Sequence, residues 1–247
     1  MDAITVQNLK VKMKLQVLLD DVSFTVPYGV TCAFIGHNGA GKTTTIRSIL
    51  GLREYDSGEI TIAGVNAKYK KSRVTIGYVP EKGSADKIKV IDFLRNIADF
   101  KNVSKSELDS FVETTCKELN IPVDRLQNRI CDLSSGQNKL ITIAQAFIGA
   151  PDIVFMDEPT DNLDPEAREL FYEFIKNQRK INPRVTYFIS THNLDEIEHY
   201  IDYVVIIRNG QIKHVGPYKA DGQLRKNYSE FVKTGIFHAR GHTKKVT

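Results

Sequence analysis

Gly36-His37-Asn38-Gly39-Ala40-Gly41-Lys42-Thr43 follows the apolar run Thr31-Cys32-Ala33-Phe34-Ile35 and opens a stretch of helical spacing from Thr43 to Leu52. The loop fits the pattern G-x-x-x-x-G-K-[ST]. Each part of the pattern has a physical purpose. Glycines let main-chain N–H groups turn toward a polyphosphate without a Cβ in the way. A helix that begins there points its N-terminus at the same anion, worth about half a positive charge. On this reading Lys42 reaches the outer phosphates, Thr43 holds Mg²⁺ and Thr44 adds a further phosphate contact. An apolar strand before the loop and a helix after it are the context these mechanics require, so the sequence predicts a nucleotide site.

Two acids fit the same chemistry. Ile153-Val154-Phe155-Met156-Asp157-Glu158 is an apolar strand that ends in a carboxylate pair. A strand buried on both faces lifts its last residues to the ligand edge of a parallel sheet. Asp157 is expected in the Mg²⁺ shell, and Glu158, one residue on, is expected to polarise an attacking water. Exposed acids capping a strand are the bland alternative, and the phosphate loop argues against it. Leu133-Ser134-Ser135-Gly136-Gln137 lies about 20 residues before Asp157. A Ser–Gly turn feeding a helix is a second anion site, with Ser134 and main-chain N–H groups facing outward. One chain then carries two phosphate-binding edges, which are most simply reconciled if two chains meet head to tail.

Working outward, extended segments are expected near Ile4–Leu9 and Val17–Val26, with a turn at Pro27-Tyr28-Gly29. Further strands are expected at Glu59–Ile62, Val74–Val79, Ile153–Met156, Val185–Ser190, Tyr203–Ile207 and Gln211–Val215, the last two joined by the hairpin signal Arg208-Asn209-Gly210. Helices are expected within residues 90–119, at Gln137–Ile148 and at Pro165–Ile181. Ser104 and Glu107 form a capping box at the start of one of them. This alternation predicts an α/β fold with a largely parallel sheet. The helical stretch from about 82 to 149 reads as an inserted subdomain, residues 1–235 as the domain, and residues 236–247 as a polar, basic tail expected to be mobile.

Composition sets limits. The chain has 247 residues, a formal net charge of +4, 41% hydrophobic and 26% charged residues, all ordinary soluble values. A chain of this length buries roughly 70–75% of its unfolded surface, so it needs neither disulfide nor metal for a core. The small, interleaved charge excess does not call for nucleic acid, and no nucleic-acid partner is expected. Cys32, Cys116 and Cys131 form no CxxC pair, and Cys32 is expected to be a small core residue. The N-terminus has no signal-peptide pattern and no stretch approaches ~20 apolar residues, so any membrane work falls to other chains.

The motifs together resemble the nucleotide-binding subunit of ATP-binding cassette (ABC) transporters, over nearly the whole chain. Leu133–Gln137 resembles that family's LSGGQ signature, Asp161-Asn162-Leu163-Asp164 its D-loop, and Ser190-Thr191-His192 its switch histidine. The resemblance implies an ABC-type P-loop fold with a mainly parallel core sheet, an antiparallel β subdomain and an inserted helical subdomain. It implies ATP and Mg²⁺ as ligands. It implies that Ser134 and Gly136, with the flanking Ser135 and Gln137, contact the γ-phosphate held by the opposite subunit. It implies that Glu158 is the catalytic base, that His192 touches the γ-phosphate and holds the water and Glu158 in place, and that Asp164 couples the two sites. The implied partners are a second cassette, identical or different, with ATP at the interface, and a separate integral membrane permease. The implied location is cytoplasmic, on the inner face of the cell membrane.

The sequence departs from the family pattern at four places. Ser135 replaces the first signature glycine, which is tolerable if the chain there needs φ < 0. Leu140 stands where a basic residue is usual. Glu81 replaces a glutamine that senses metal and permease, and still offers an oxygen to Mg²⁺; its Tyr-Val-Pro-Glu setting resembles exporter-type members. Met13 takes the place of an adenine-stacking aromatic, and its thioether can pack on a purine.

The resemblance implies a transporter motor. The alternatives are a soluble ABC ATPase with a non-transport partner, a GTPase or small-molecule kinase, and a binding-only regulator. The single cassette without sustained heptads, the absence of a guanine-reading Asp after Asn138-Lys139, and intact Glu158 and His192 argue against them in turn. The permease is expected to dock near Glu81 and the helices around 88–120. Lys68, Lys70, Lys71 and Arg73 read either as a solvated turn or as a patch facing lipid headgroups.

Overall fold

The computed structural model describes residues 2–67, 76–235 and 237. The basic cluster at 68–73 and the tail from His238 lie outside the described residues, as do residues 74–75 of the strand expected at Val74–Val79. The chain divides into two compact units, one formed by residues 1–73 with 186–247 and the other by residues 74–185. The helical stretch expected at 82–149 falls within the second unit, which also takes in a strand on each side of it and the helix at 165–181.

The first unit holds two sheets. One is antiparallel, with strands β1 (Asp2–Met13), β2 (Gln16–Pro27), β4 (Ser57–Ile62) and the two-residue β5 (Val65–Asn66) in the order β2-β1-β4-β5. β1 and β2 run well past the extended segments expected near Ile4–Leu9 and Val17–Val26. Inward residues alternate within each strand except where the pairing register shifts, between Val6 and Leu9 and between Leu19 and Val22, so that Ile4, Val6, Leu9, Leu19, Val22, Phe24 and Val26 are buried.

The other sheet is built on β3 (Thr31–Ile35), which pairs in parallel with β8 (Thr186–Thr191) on one side and β9 (Tyr203–Arg208) on the other. β10 (Gln211–Pro217) adds antiparallel to β9. Every residue of β3 and β8 is buried, which is why they read as unbroken apolar runs and not as alternating ones. Phe34 packs against Phe24 and Phe188 with ring centroids 5.9 and 5.0 Å apart. Cys32 is buried in β3 as expected, and burial pushes its thiol well above the ordinary value. Helix α1 (Lys42–Ile49) follows the phosphate loop.

In the second unit β6 (Ile76–Val79) pairs in parallel with β7 (Ile153–Asp157). Between them run α2 (Val90–Phe100), α3 (Lys105–Glu118) and α4 (Ser135–Ala146), and α5 (Pro165–Ile181) follows β7. The capping box expected at Ser104 and Glu107 is present at the start of α3.

Two helices of the first unit are new relative to the sequence reading. α6 (Leu194–Ile197) is a single turn after β8, and α7 (Leu224–Thr234) follows β10. Glu198 joins them: its carboxylate accepts from the Tyr218 hydroxyl at 2.6 Å and from the main-chain N–H groups of Gln223 and Leu224 at 2.9 and 3.1 Å.

Candidate functional site

The residues singled out in the sequence are divided between the units. Gly36 to Thr44, Met13 and His192 belong to the first; Glu81, Ser134 to Gln137, Asp157, Glu158 and Asp164 belong to the second.

In the first unit, the parallel register pairs Ile35 with Thr191. The residues that follow them, Gly36 and His192, therefore leave the sheet at the same carboxyl edge. Gly36 passes so close to β9 that a Cβ would lie 2.6 Å from the Ile207 carbonyl oxygen, and at Gly41, where φ is 110°, a Cβ would meet Leu19 at 2.6 Å. These two positions exclude side chains and set the loop's path. No side chain caps α1, and its first turn carries no acidic residue, so the N-terminal end of the helix favours an anion. Lys42 is buried, and its Nζ donates to the Gly36 carbonyl at 2.7 Å and to that of His37 at 3.5 Å. His37, Asn38 and Gly39 are exposed, Ala40 is buried, and Thr43 and Thr44 are half-buried. Met13 ends β1 opposite Gln16, at the tip of the hairpin whose Leu19 touches Gly41, and is 50% exposed.

The loop has a support that the sequence reading missed. The turn at 209–210 between β9 and β10 donates its Gly210 N–H to the Ala40 carbonyl at 3.0 Å, and Asn209 Oδ1 lies 3.2 Å from His37 Nε2. Arg208-Asn209-Gly210 signals a hairpin, but nothing local says where the hairpin's tip will land.

In the second unit, Val79 pairs with Met156, so the Glu81 segment and the carboxylate pair also leave their strands at one carboxyl edge. Asp157 is fully buried as the last residue of β7. Glu158 turns sharply out of the strand with φ 45° and is 8% exposed. A non-glycine residue held there stores about 1–3 kcal/mol of backbone strain, a cost that clusters at functional sites.

Ser134 and Ser135 are exposed and Gly136 and Gln137 half-buried at the start of α4. Ser134 is that helix's N-cap: its Oγ accepts from the Gln137 N–H at 3.2 Å, and the Gln137 side chain accepts from the Ser134 N–H at 3.3 Å. The signal, Ser followed three residues on by Gln, is local and legible. Ser135 is the first helical residue and is not among the positive-φ positions, so the loss of glycine there costs the backbone nothing. Gly136 lies beside Asn162, whose carbonyl oxygen would be 3.1 Å from an added Cβ. Asp164 is the N-cap of α5, with Oδ1 accepting from the Ala167 N–H at 2.8 Å and Pro165 in the first turn.

Another residue outside the expected set is Lys139, which is 2% exposed on α4. Burial pulls its ammonium below the ordinary lysine value, while the carboxylates of Asp161, Asp157, Glu81 and Glu158 act in the opposite sense.

In the first unit the glycine loop leaves an exposed turn ahead of an uncapped helix with a buried lysine behind it, an arrangement that suits a polyphosphate. In the second unit Asp157 and Glu81 offer oxygens, donors of the kind that Mg²⁺ takes. Fold and site together define a P-loop nucleotide-binding protein of the α/β class. Residues 19–161 match the family model described as ABC transporter. The chain belongs to the ABC transporter family. It is 34% identical over 203 residues to a putative ABC transporter ATP-binding protein of Mycoplasma pneumoniae, covering 82% of this chain and 62% of the relative. It is 33% identical over 202 residues to the Nod factor export ATP-binding protein I of Cupriavidus pinatubonensis, covering 79% of this chain and 60% of the relative. The chain thus spans about three fifths of the length of these relatives. The solved structure of an ATP-binding subunit of an ABC transporter superposes with a TM-score of 0.81 at 30% identity, covering 95% of both chains. Among the described residues no helix is long and apolar enough to cross a membrane.

Proposed function

We propose that this chain is the ATP-binding and ATP-hydrolysing subunit of an ABC transporter. It powers export through a separate membrane permease, on whose cytoplasmic side it sits, and residues 1–235 act as its ATPase domain. The observation that carries this reading is the exposed start of α4. Ser134 and Ser135 stand exposed at a helix N-terminus that Ser134 itself caps and that has no acidic residue in the first turn. That end suits a phosphate presented from outside the chain, and a second cassette bound head to tail presents one. Family membership, together with the relatives' names, supports transport; the Nod factor export relative supports the outward direction.

In the proposed mechanism the glycine loop and the N-terminus of α1 hold the triphosphate, and Lys42 balances its outer charge. Thr43, Asp157 and Glu81 would hold Mg²⁺, which when bound draws charge off the phosphoryl oxygens. Glu158 accepts the proton of the attacking water, and His192 orients that water. Met13 packs on the base. Ser134, with Ser135, Gly136 and Gln137, closes over the partner's γ-phosphate, and Asp164 links the two sites. The permease is assigned to the groove of about 430 Å³ in the second unit lined by Tyr78, Pro80, Lys82, Phe93, Ile97 and Gln145. This groove adjoins Glu81, and its aromatic and apolar floor with a basic rim suits an amphipathic cytoplasmic segment.

The test is the dependence of hydrolysis on protein concentration. The rate per subunit is expected to rise as dimers form, and ATP with Mg²⁺ is expected to shift sedimentation toward the dimer. A rate per subunit that stays flat from nanomolar to high micromolar protein, with a monomer throughout, rejects the shared-site reading.

A further inference from the structure

Helix α4 carries a row of polar side chains that all point to one stretch of main chain. Asn138 Nδ2 donates to the Ser84 carbonyl at 2.7 Å. Lys139 Nζ donates to the carbonyls of Pro80 at 3.2 Å and Glu81 at 2.8 Å. Gln145 Nε2 donates to the Tyr78 carbonyl at 2.6 Å. Positions 138, 139, 142 and 145 share a helix face, and that face is fastened to residues 78–84.

Lys139 stands out in this row. Lysine is almost never fully buried unless paired, and here the chain spends a buried ammonium on two main-chain oxygens. A neutral donor would satisfy those carbonyls at lower cost of desolvation. What a neutral donor lacks is charge; burial lowers the pKa of this ammonium, and the carboxylates of Asp161, Asp157, Glu81 and Glu158 act in the opposite sense. Glu81 sits on the segment that follows β6, and Lys139 grips that segment at the carbonyls of Pro80 and Glu81.

We propose that Lys139 is a positioning residue that fastens the Glu81 loop to the helix beginning at Ser134, so that Glu81 and the signature turn are presented by one body. The role rests on the ATPase reading above only where hydrolysis is measured. Lys139 itself acts through Glu81.

Lys139→Met, Lys139→Gln and Lys139→Arg, each alone and combined with Glu81→Gln, test it in the full chain. The first measurement needs no activity. Amide hydrogen exchange across residues 78–84 of the nucleotide-free chain is expected to quicken about tenfold in Lys139→Met, with the amides of α5 unchanged, and to return toward wild type in Lys139→Arg. The second measurement is kinetic. Loss of the fastening is expected to lower kcat roughly 10- to 100-fold, with ATP affinity within about twofold of wild type. Glu81→Gln is then expected to cost much less in the Lys139→Met background than alone. If Lys139→Met does not fold, Lys139→Gln, which keeps a donor without the charge, carries both comparisons. Unchanged exchange over residues 78–84 in the folded variant overturns the proposal, and so do kcat losses that simply multiply. A wild-type chain that hydrolyses no ATP rejects the ATPase reading instead, and the exchange result still decides this one.

Discussion

The main-chain N–H of Gly210 donates to the carbonyl of Ala40 at 3.0 Å, and the Gly210 carbonyl accepts from the N–H of Asp20 at 2.8 Å. One residue in the β9–β10 turn thereby ties the phosphate loop to β2. The conformation is available to glycine alone: φ is 72°, and a Cβ would lie 2.5 Å from the Leu18 carbonyl oxygen. Gly210→Ala is expected to weaken ATP binding about tenfold or more and to lower stability by about 1–3 kcal/mol, although residue 210 is far in sequence from the loop. Calorimetric ATP titration and thermal unfolding check both. Wild-type affinity in the variant would show that the loop keeps its shape without this tie.

Glu158 is expected to separate binding from hydrolysis. Its backbone sits at φ 45° just past the end of β7, and an amide in place of the carboxylate leaves that backbone unchanged. Glu158→Gln keeps the shape and loses the base, so hydrolysis is expected to fall by about 10²–10⁴-fold. ATP binding is expected to persist and a closed dimer to accumulate. Single-turnover hydrolysis with size-exclusion in ATP measures both, and a variant that turns over normally as a monomer removes Glu158 from the mechanism.

Ser134 caps α4 and, on the proposed mechanism, also meets the partner's phosphate, and one substitution can part the two. Its Oγ caps α4, and truncation to alanine costs about 0.5–2 kcal/mol through lost capping alone. Aspartate caps as well as serine but brings a negative charge to the surface offered to a phosphate. Ser134→Asp is expected to unfold at nearly the wild-type temperature while ATP-driven dimerisation is lost. Ser134→Ala is expected to show the reverse weighting, with a lowered melting temperature and weakened dimerisation. If Ser134→Asp dimerises with ATP as well as wild type does, the signature turn does not meet phosphate.

Much of this was legible in the sequence because the deciding interactions are short in range. The β3 run, the glycine loop and α1 are contiguous, and fully buried parallel strands announce themselves as apolar runs; β3 was expected at its observed bounds. The same holds for α5, whose Asp-Pro start marks its N-terminus, and β7 runs one residue beyond the expected Ile153–Met156. What escaped notice depends on distant partners. α7 buries only Leu224, Asn227 and Phe231, too thin a stripe to stand out among polar neighbours, and its capping carboxylate comes from Glu198, 26 residues before Leu224. The Gly210 tie spans from β9–β10 back to the loop for the same reason. Lys139 was weighed only for a guanine-reading motif it does not complete, since nothing in Asn138-Lys139 says that its carbonyl acceptors lie at 80 and 81.

Glu198 gives the fold an acid-sensitive joint. The carboxylate is buried yet accepts from Tyr218, Gln223 and Leu224, holding α7 against the end of α6. Burial alone raises its pKa; the hydrogen bonds from the Tyr218 hydroxyl and the main-chain N–H groups outweigh that and leave it below the ordinary glutamate value. A carboxyl depressed on folding stabilises the native state fully above its unfolded pKa, and that contribution is lost as pH falls through the folded value. Glu198→Ala is therefore expected to cost about 1–3 kcal/mol at neutral pH, because it strands buried donors. Glu198→Gln, which keeps the shape and an acceptor oxygen, is expected to cost less. The gap in stability between wild type and Glu198→Gln is expected to be constant above the unfolded glutamate range and to narrow on acidification below it. Denaturant unfolding across acidic pH measures this. A gap that widens toward low pH reverses the sign and means that Glu198 is held in its protonated form in the native state.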